Sequence, residues 1–396
     1  MSHDMGLPVV IVGTGLAGYT VARELRKLDA QVPITLISED DGSFYSKPTL
    51  SNALAMNKAP HALVTFDARA MGTQLNASIL SHSKVERVLA DTHELIVDGQ
   101  SFRYGKLVLA LGADARRIPL AGDSAGDVLS VNSLDDYVRF RKRLEGAQSV
   151  ALLGAGLIGC EFANDLALAN YKVTLIDPAA TPLSRILPER AGHAFAQALE
   201  RHGVRLRLGR SVATVNRAER GYALTLSDGE AIDADVVLSA IGLAPRTQLA
   251  EQAGIAIEGG IRTDAYCRTS AADIYALGDC AAIEGKVQPY VLPIMHAARA
   301  LARTLAGEAT RVAFPIMPVT VKAPASPTVV VLPDETGTWR YASNVSDESL
   351  DGLHALCEHA ADGRPLGFAL LGSATQAKAA LLKTMTSGSF ESALQR

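Results

Sequence analysis

The chain has 396 residues, of which 48% are hydrophobic and 20% are charged, and its formal net charge is −4. This length exceeds what one ordinary hydrophobic core accommodates, so we expect two or three domains. The small negative charge provides no sequence-wide basic field, which argues against nucleic acid and anionic membranes as partners.

The start of the chain leads directly into an apolar run, without a basic segment, a long apolar core or a cleavage site. No stretch approaches the ~20 apolar residues that a membrane-spanning helix requires. We therefore expect a cytoplasmic protein.

The first predicted elements form a βαβ unit. An apolar run at 8–12 predicts a strand, apolar residues at helical spacing over 16–28 predict a helix, and 34–37 predicts a second strand. Between the first strand and the helix lies Gly13-Thr14-Gly15-Leu16-Ala17-Gly18. A G-x-G-x-x-G sequence in this context is typical of dinucleotide-binding folds.

Each glycine of this turn has its own physical role. Gly13 permits the tight turn, Gly15 lets the backbone approach a pyrophosphate, and Gly18 lets the helix pack closely on the strand. The helix N-terminus offers unpaired N–H groups to the phosphates. Ser38 and Glu39 end the second strand, where Glu39 can accept the ribose hydroxyls. The alternative is a glycine-rich turn that binds no ligand.

The same pattern occurs a second time. A strand at 150–153 leads into Gly154-Ala155-Gly156-Leu157-Ile158-Gly159, followed by a helix at 162–168 and a strand at 172–176 that ends at Asp177. A carboxylate at this position accepts hydrogen bonds from a 2′-hydroxyl and repels a 2′-phosphate. The next basic residue along the chain is Arg185, so we expect NADH to be preferred over NADPH.

The remaining elements predict further sheet structure. Residues 205–232, with Asp228-Gly229 as a hairpin turn, predict a β-meander. From Met317 onward, short strands with proline breaks and a helix predict a small α+β domain. Further strands are predicted at 104–111, 236–241, 319–321, 328–332 and 339–342, and a helix at 374–385.

A third motif follows the second βαβ unit. Residues 269–280 contain T-x-x-x-x-I-Y-A-x-G-D, which resembles the second flavin-contact motif of flavoproteins with two dinucleotide-binding domains. The resemblance implies that Gly278 allows close backbone approach and that Asp279 accepts a hydrogen bond from the ribityl chain. The alternative is that Asp279 caps the following helix.

Three stretches, at 44–51, 154–165 and 317–322, resemble the ferredoxin and rubredoxin reductase branch of the glutathione-reductase-like flavoproteins. The resemblance covers nearly the whole chain, and within the branch these stretches are most similar to reductases that serve rubredoxin. Dioxygenase-type ferredoxin reductases carry Arg-Pro-Pro-Leu-Ser where this chain has Ser-Lys-Pro-Thr-Leu-Ser.

The resemblance implies an α/β fold with two Rossmann-like dinucleotide-binding domains and a small α+β C-terminal domain. We expect a discontinuous FAD-binding domain at 1–115 and 240–318, an NAD(H)-binding domain at 116–239, and a C-terminal domain at 319–396. FAD is then tightly bound and NAD(H) is the co-substrate.

The resemblance also implies that Lys47 and Glu161 form an ion pair near the reactive edge of the flavin and tune its redox potential. The alternatives are an exposed Lys-Pro turn for Lys47, and for Glu161 an acid in the first turn of a helix. Gly242 resembles a turn that joins the nicotinamide domain to the flavin domain. Other implied cofactor contacts are Pro48, Val85, Ala110, Leu111, Gly112, Val291 and Lys322.

The distribution of cysteines determines where electrons go. Disulfide-reducing and oxygen-reducing relatives keep cysteine about 30 residues past the first glycine-rich turn, whereas this chain has none before Cys160. The four cysteines are scattered without metal-ligand spacing, so we expect no protein-held metal. The electrons must leave for a separate one-electron carrier.

The carrier implied by the resemblance is rubredoxin, whose single iron is held by cysteine thiolates. An acidic carrier would need a basic docking patch, drawn from residues such as Arg185, Arg299, Arg303 and Lys322. An alkane hydroxylase is the implied consumer, and the chain is expected to be a monomer or homodimer. The alternatives are a ferredoxin or flavorubredoxin reductase, and a slowly turning FAD- and NAD-binding redox-responsive protein.

Overall fold

Two parallel sheets, each with a glycine-rich turn after its central strand, organise the chain. The computed structural model describes residues 6–341 and 352–387. The strands are β1 (Val9–Val12), β2 (Ile34–Ile37), β3 (Phe44–Tyr45), β4 (Val64–Phe66), β5 (Ser78–Leu80), β6 (Val85–Leu89), β7 (Glu94–Val97), β8 (Gln100–Arg103), β9 (Lys106–Leu109), β10 (Ala113–Ala115), β11 (Leu129–Ser130), β12 (Ser149–Leu153), β13 (Lys172–Asp177), β14 (Arg205–Leu208), β15 (Val212–Arg217), β16 (Tyr222–Leu226), β17 (Ala231–Ala234), β18 (Val236–Ser239), β19 (Leu243–Pro245), β20 (Ile261–Thr263), β21 (Ile274–Ala276), β22 (Ala281–Ile283), β23 (Val319–Val321), β24 (Thr328–Val331), β25 (Thr338–Tyr341), β26 (His354–Glu358) and β27 (Pro365–Leu371).

The helices are α1 (Leu16–Leu28), α2 (Ala68–Leu75), α3 (Leu134–Arg143), α4 (Leu157–Leu168), α5 (Glu189–Arg201), α6 (Gln248–Gln252), α7 (Val291–Leu305) and α8 (Lys378–Ser387). Short 3₁₀ turns lie at Lys47–Thr49, Pro60–Leu63, Ala90–Thr92, Ala125–Asp127, Gly278–Cys280 and Gly372–Ala377.

The chain divides into two units. The first contains 6–47, 61–114 and 243–315. Its main sheet has the parallel order β21-β9-β1-β2-β5, with α1 packed against α7. β1 and β2 are buried along their whole length, as is typical of parallel strands covered on both faces. The unit also contains an antiparallel meander of three strands, β6, β7 and β8.

The second unit contains 48–60, 115–242 and the described residues from 316 onward. Its parallel sheet has the order β11-β18-β12-β13-β14, followed along the chain by the antiparallel meander β15-β16-β17. A five-stranded antiparallel sheet, β23-β24-β27-β26-β25, forms the C-terminal part of this unit. One face of that sheet buries Phe368 and Leu370 with Leu381 of α8 in a small apolar core.

Several predicted boundaries were wrong. The strand predicted at 104–111 is shorter and forms β9, Lys106–Leu109. At its start, the Tyr104 amide donates to the His93 carbonyl oxygen at 3.0 Å and so extends the pairing of β7 with β8. The helix predicted at 162–168 begins at Leu157, directly after the glycine turn. The segment 205–208 belongs to the parallel sheet as β14 and not to the meander, since it pairs with β13.

The predicted C-terminal α+β structure is confirmed in type, but the sequence pattern missed two of its strands. β26 and β27 form the centre of the sheet, and β27 is buried throughout despite beginning at a proline. The predicted strand at 339–342 ends at Tyr341, and its last residue lies outside the described part of the chain. Within 6–341 and 352–387, no helix combines the length and apolar character needed to cross a membrane.

Candidate functional site

The first glycine turn is required by the protein's own packing at two positions. Gly13 has φ +114°, and a Cβ there would lie 2.2 Å from the Ala110 carbonyl oxygen. A Cβ at Gly18 would lie 1.9 Å from the Gly13 carbonyl oxygen. A side chain at Gly13 would therefore displace the chain at the end of β9, and a side chain at Gly18 would displace α1 from the turn.

The second glycine turn repeats this geometry. Gly154 has φ +102°, and a Cβ there would lie 2.7 Å from the Ala240 carbonyl oxygen. A Cβ at Gly159 would lie 1.8 Å from the Gly154 carbonyl oxygen. The predicted strand-turn-helix context of both fingerprints is thus confirmed.

The middle glycine of each turn has a different explanation. Gly15 and Gly156 have ordinary φ values of −73° and −75°. Among the described residues, apart from the glycine and its two chain neighbours, no atom lies within 4 Å of a Cβ built at either position. Neither helix start is capped by a side-chain hydrogen bond. Open space above uncapped helical N–H groups fits a pyrophosphate at both turns, as FAD and NADH would supply.

The acidic end of β2 is organised around Asp40. The Thr14 and Ser38 hydroxyls lie 2.6 Å apart, and Asp40 Oδ1 accepts hydrogen bonds from Ser38 and from the Gly42 amide at 2.9 Å. Glu39 is exposed beside them. Asp40 therefore fixes the local backbone. Glu39 is a solvent-facing carboxylate, and its predicted contact with the ribose stays a prediction.

Asp177 lies at the end of β13, beside the second glycine turn. Its Oδ2 accepts the Ala155 amide at 2.6 Å, and its Oδ1 accepts the Ala179 amide at 2.7 Å. A carboxylate has about four lone-pair sites, so acceptor capacity is left after these two bonds. These two hydrogen bonds hold the carboxylate at the end of β13, and its contact with a ribose stays a prediction.

Asp279 lies in the 3₁₀ turn Gly278–Cys280 of the first unit. Burial raises the pKa of its carboxyl, and the positive charge of Lys47 lowers that pKa. Strand β22 follows the turn directly, so the alternative of a helix cap at Asp279 was wrong. Lys47 is half-buried at the start of its own 3₁₀ turn, which disfavours a freely exposed Lys-Pro loop.

Glu161 is 2% exposed on α4 of the second unit. Because α4 begins at Leu157, Glu161 lies beyond the first turn, and the alternative of a first-turn acid was wrong. Its Oε2 accepts the Ser51 hydroxyl at 2.5 Å, and its Oε1 accepts the Lys322 amide at 3.0 Å. The ion pair between Lys47 and Glu161 stays a prediction.

Two further polar residues of α4 were not predicted. Asn164 Oδ1 accepts the Ala325 amide at 2.9 Å. Asp165 accepts the Ala55 amide at 2.8 Å and the Leu54 amide at 3.1 Å. Both side chains are 2% exposed, and together with Glu161 they hold two separate chain segments against one helix.

These contacts also perturb the titration of Asp165. Burial raises the pKa of the Asp165 carboxyl to about 6, although the hydrogen bonds from Ala55 and Leu54 and the charge of Arg141 lower it. The sequence signal was the spacing of 161, 164 and 165, which places three polar side chains on one helical face. An isolated sequence gives no reason to expect that face to be buried.

Lys322 joins the two segments that α4 holds. Its Nζ donates to the Pro48 carbonyl oxygen at 2.9 Å. Lys322 is solvent-exposed as a residue, but partial desolvation of its ammonium lowers the pKa of that group, whereas the carboxylate of Glu161 raises it. The structure thus brings together Pro48, Ser51, Glu161 and Lys322 within the second unit.

The other predicted contacts are placed as follows. Val85 and Ala110 are buried, whereas Leu111 and Gly112 are partly exposed. Val291 is 43% exposed as the first residue of α7. The carbonyl oxygen of Gly242 accepts the Arg116 amide at 2.9 Å. The cofactor contacts assigned to these residues stay predictions.

All four cysteines are buried free thiols: Cys160, Cys267, Cys280 and Cys357. Burial raises the pKa of Cys267 to about 12 and that of Cys280 to about 11. Such thiols stay protonated near neutral pH and are poor nucleophiles. Among the described residues, no group of three or more His, Cys, Asp or Glu side chains could hold a metal ion.

The chain is similar to known proteins over nearly its whole length. The family described as pyridine nucleotide-disulphide oxidoreductase matches residues 7–303, and the rubredoxin binding C-terminal domain matches residues 311–385. Rubredoxin-NAD(+) reductase of Acinetobacter baylyi is 47% identical over 92% of this chain and 94% of its own. Rubredoxin-NAD(+) reductase of Alcanivorax borkumensis is 44% identical over 96% of this chain and 98% of its own.

Among solved structures, the putidaredoxin reductase of a covalent complex with putidaredoxin has a TM-score of 0.87 and 26% identity. The alignment covers 97% of this chain and 94% of that one. Together with the paired glycine turns, these matches establish that the chain belongs to the pyridine nucleotide-disulphide oxidoreductase family, in the branch that contains the rubredoxin–NAD(+) reductases.

Proposed function

We propose that this chain is a FAD-dependent reductase that passes electrons from NADH to rubredoxin. The observation that carries the proposal is the match of residues 311–385 to the rubredoxin binding C-terminal domain, in a chain that also holds two dinucleotide turns. When bound, FAD accepts a hydride from NADH and releases single electrons to a one-electron acceptor.

The protein's own residues bind and orient the two nucleotides. In this proposal the turn at 13–18, with Ser38, Glu39 and Asp279, holds FAD, and the turn at 154–159 with Asp177 holds NADH. The open space at Gly15 and Gly156 supports both assignments. Lys47 and Glu161 are proposed as the charged residues that set the flavin potential.

The position of the thiols supports an external acceptor. The four cysteines are buried and unpaired, with no cysteine before Cys160, so no internal disulfide stands ready to take electrons. Free thiols are also the state that a reducing compartment maintains. We therefore propose a cytoplasmic location.

The experiment is NADH-driven reduction of cytochrome c with and without added rubredoxin. We expect slow reduction without rubredoxin and a rate that rises with rubredoxin concentration until it saturates. An equal rate in both arms, with a flavin that NADH reduces normally, would overturn rubredoxin as the acceptor. A coupled assay with an alkane hydroxylase then tests the proposed consumer of the reduced carrier.

The second candidate function is that of a ferredoxin or flavorubredoxin reductase, which would have the same fold and cofactors but a different electron carrier. The structural likeness to a putidaredoxin reductase favours keeping it in the test. Stopped-flow reoxidation of the reduced enzyme by each carrier separates the candidates, because the physiological carrier reoxidises the flavin fastest. A redox-responsive binding protein would instead show slow flavin reduction by NADH with every carrier.

A further inference from the structure

The backbone of a basic residue, Arg210, lies beside the backbone of Asp177, although Arg210 follows Asp177 by 33 positions in the sequence. The Arg210 amide donates to the Asp177 carbonyl oxygen at 3.1 Å, and the Gly209 amide donates to the Ala179 carbonyl oxygen at 2.9 Å. The segment that follows β14 therefore runs alongside the end of β13. This is the strand end at which the ribose 2′ position of a bound dinucleotide is recognised.

The side chain of Arg210 is already engaged by two carboxylates. Its Nε lies 2.8 Å from Asp228 Oδ2, and its guanidinium also pairs with Glu230. Glu230 in turn accepts a hydrogen bond from Arg207 Nε at 2.7 Å. Both carboxylates belong to the hairpin between β16 and β17, and the Arg210 side chain is 37% exposed.

The ion-pair cluster and Asp177 together carry excess negative charge. Arg207 and Arg210 contribute two positive charges, whereas Asp177, Asp228 and Glu230 contribute three negative charges, so these five side chains sum to one negative charge. A 2′-phosphate brings about −1.5 to −2 more charge near neutral pH. It would have to draw Arg210 away from both partners before gaining any favourable contact.

We propose that Arg210 is a specificity-determining residue for the nicotinamide substrate. It is a phosphate-binding arginine that Asp228 and Glu230 keep occupied, so rejection of NADPH comes from this carboxylate pair as well as from Asp177. The inference rests on the proposed function, because it places NADH at the second glycine turn. An arginine fork matches a phosphate well when no carboxylate occupies it.

The same ion pairs also join the segment after β14 to the hairpin, and a purely structural role would account for them. The two roles predict different outcomes when the carboxylates are neutralised in place. A structural role predicts lower stability without any new ligand preference. Release of Arg210 predicts new affinity for a 2′-phosphate.

The test is the double variant Asp228→Asn, Glu230→Gln, assayed as the FAD-loaded full chain. In the wild type, the backbone amide of residue 230 donates a hydrogen bond to Asp228 Oδ1 at 3.1 Å. The side-chain oxygen of Asn in the Asp228→Asn variant can still accept this bond. We expect kcat/KM for NADPH relative to NADH to rise about fivefold, since one half-exposed charge contact is worth up to about 1 kcal/mol.

A binding measurement gives a readout independent of turnover. Calorimetry with adenosine 2′,5′-bisphosphate and with 5′-AMP isolates the 2′-phosphate, and we expect only the bisphosphate to gain affinity. The charge-matched control is Asp127→Asn, Glu219→Gln. It releases Arg217, the partner of Asp127 at the far end of β15, without touching the Asp177 strand end.

Adding Arg210→Ala to the double variant must remove the gain. The inference is overturned if the double variant binds adenosine 2′,5′-bisphosphate no better than the wild type while NADH still reduces its flavin. If NADH fails to reduce the wild-type flavin, the proposed function falls instead. Should the double variant not fold, Glu230→Gln alone, which leaves the hairpin turn intact, is measured in the same two assays with the same outcomes.

Discussion

Glu161 on α4 accepts a hydrogen bond from the backbone amide of Lys322 at 3.0 Å, across 161 positions of the chain. A buried carboxylate that accepts a hydrogen bond from a backbone N–H fixes the chain segment to which that N–H belongs. Asn164 and Asp165 act in the same way on their own partners. One face of α4 thus orders the segment that opens the C-terminal sheet and the segment that follows Lys47.

The charge of Glu161 provides the first prediction. Glu161→Gln keeps an oxygen for the Lys322 amide but removes a negative charge, so we expect the flavin midpoint potential to rise. Lys47→Met removes a positive charge and lowers it. A change of about 30 mV in each direction, or ~1.4 kcal/mol for a two-electron couple, is expected in a redox-dye titration. Glu189→Gln, on an exposed side chain of α5, is the control, and shifts of the same sign in both variants would contradict the assignment.

The two middle glycines provide a paired prediction. Gly15→Ala and Gly156→Ala each place a methyl group in open space, so the apo-protein should fold normally. We expect Gly15→Ala to retain far less FAD on purification, and Gly156→Ala to retain FAD while its KM for NADH rises roughly tenfold. Gly18→Ala, whose Cβ would lie 1.9 Å from a carbonyl oxygen, should fail to fold. Normal cofactor retention in Gly15→Ala would refute the FAD assignment.

Asp177 provides the third prediction. Asp177→Ala should narrow the preference for NADH over NADPH, because the carboxylate repels a 2′-phosphate. Asp177→Asn is the informative partner, since it keeps one oxygen for the Ala155 or Ala179 amide while removing the charge. Steady-state kinetics with both nucleotides provide the measurement. Unchanged discrimination in both variants would remove Asp177 from the site.

The buried carboxyl of Asp165 predicts a pH dependence of stability. Its folded pKa of about 6 lies above its ordinary value of 3.8, so the folded state binds the proton more tightly than the unfolded state. The resulting stabilisation is complete below pH ~4 and is lost as pH rises through about 6. Asp165→Asn should therefore gain about 1 kcal/mol relative to the wild type between pH 5 and pH 7.

Urea unfolding followed by circular dichroism at the two pH values measures this change. The free energy of unfolding of the variant at one pH depends on the hydrogen bonds that the introduced Asn can still accept. The change with pH in the difference between the variant and the wild type depends instead on the titration of the Asp165 carboxyl. An equal difference at pH 5 and pH 7 would contradict the raised pKa.

Charged docking of the carrier provides the last prediction. If an acidic rubredoxin binds a basic patch, turnover with rubredoxin should fall as salt rises, because ions screen the attraction between the two proteins. Turnover with a small neutral quinone measures the flavin chemistry without docking and should change little. Parallel salt dependence in the two assays would show that salt acts on the enzyme itself.

The amino-acid sequence alone was enough to predict the features of this protein that depend on neighbouring residues. Each glycine turn lies between a strand and a helix only a few residues away, and its spacing follows from the geometry of that local unit. The absence of an early cysteine likewise needed no coordinates. Together with the resemblance of the segments at 44–51, 154–165, 269–280 and 317–322, these features indicated the family, the cofactor class and an external electron carrier.

Contacts between residues far apart in the sequence became known from the folded structure. Residues 205–208 join the parallel sheet because β13 offers them a partner, and no local pattern distinguishes that from a meander. Asp165 and Ala55 meet across 110 positions, and Arg210 meets Asp177 across a strand pairing. Burial and long-range pairing arise from the packing of the whole chain, so a polar side chain in a sequence does not reveal which amide or carboxylate it will face.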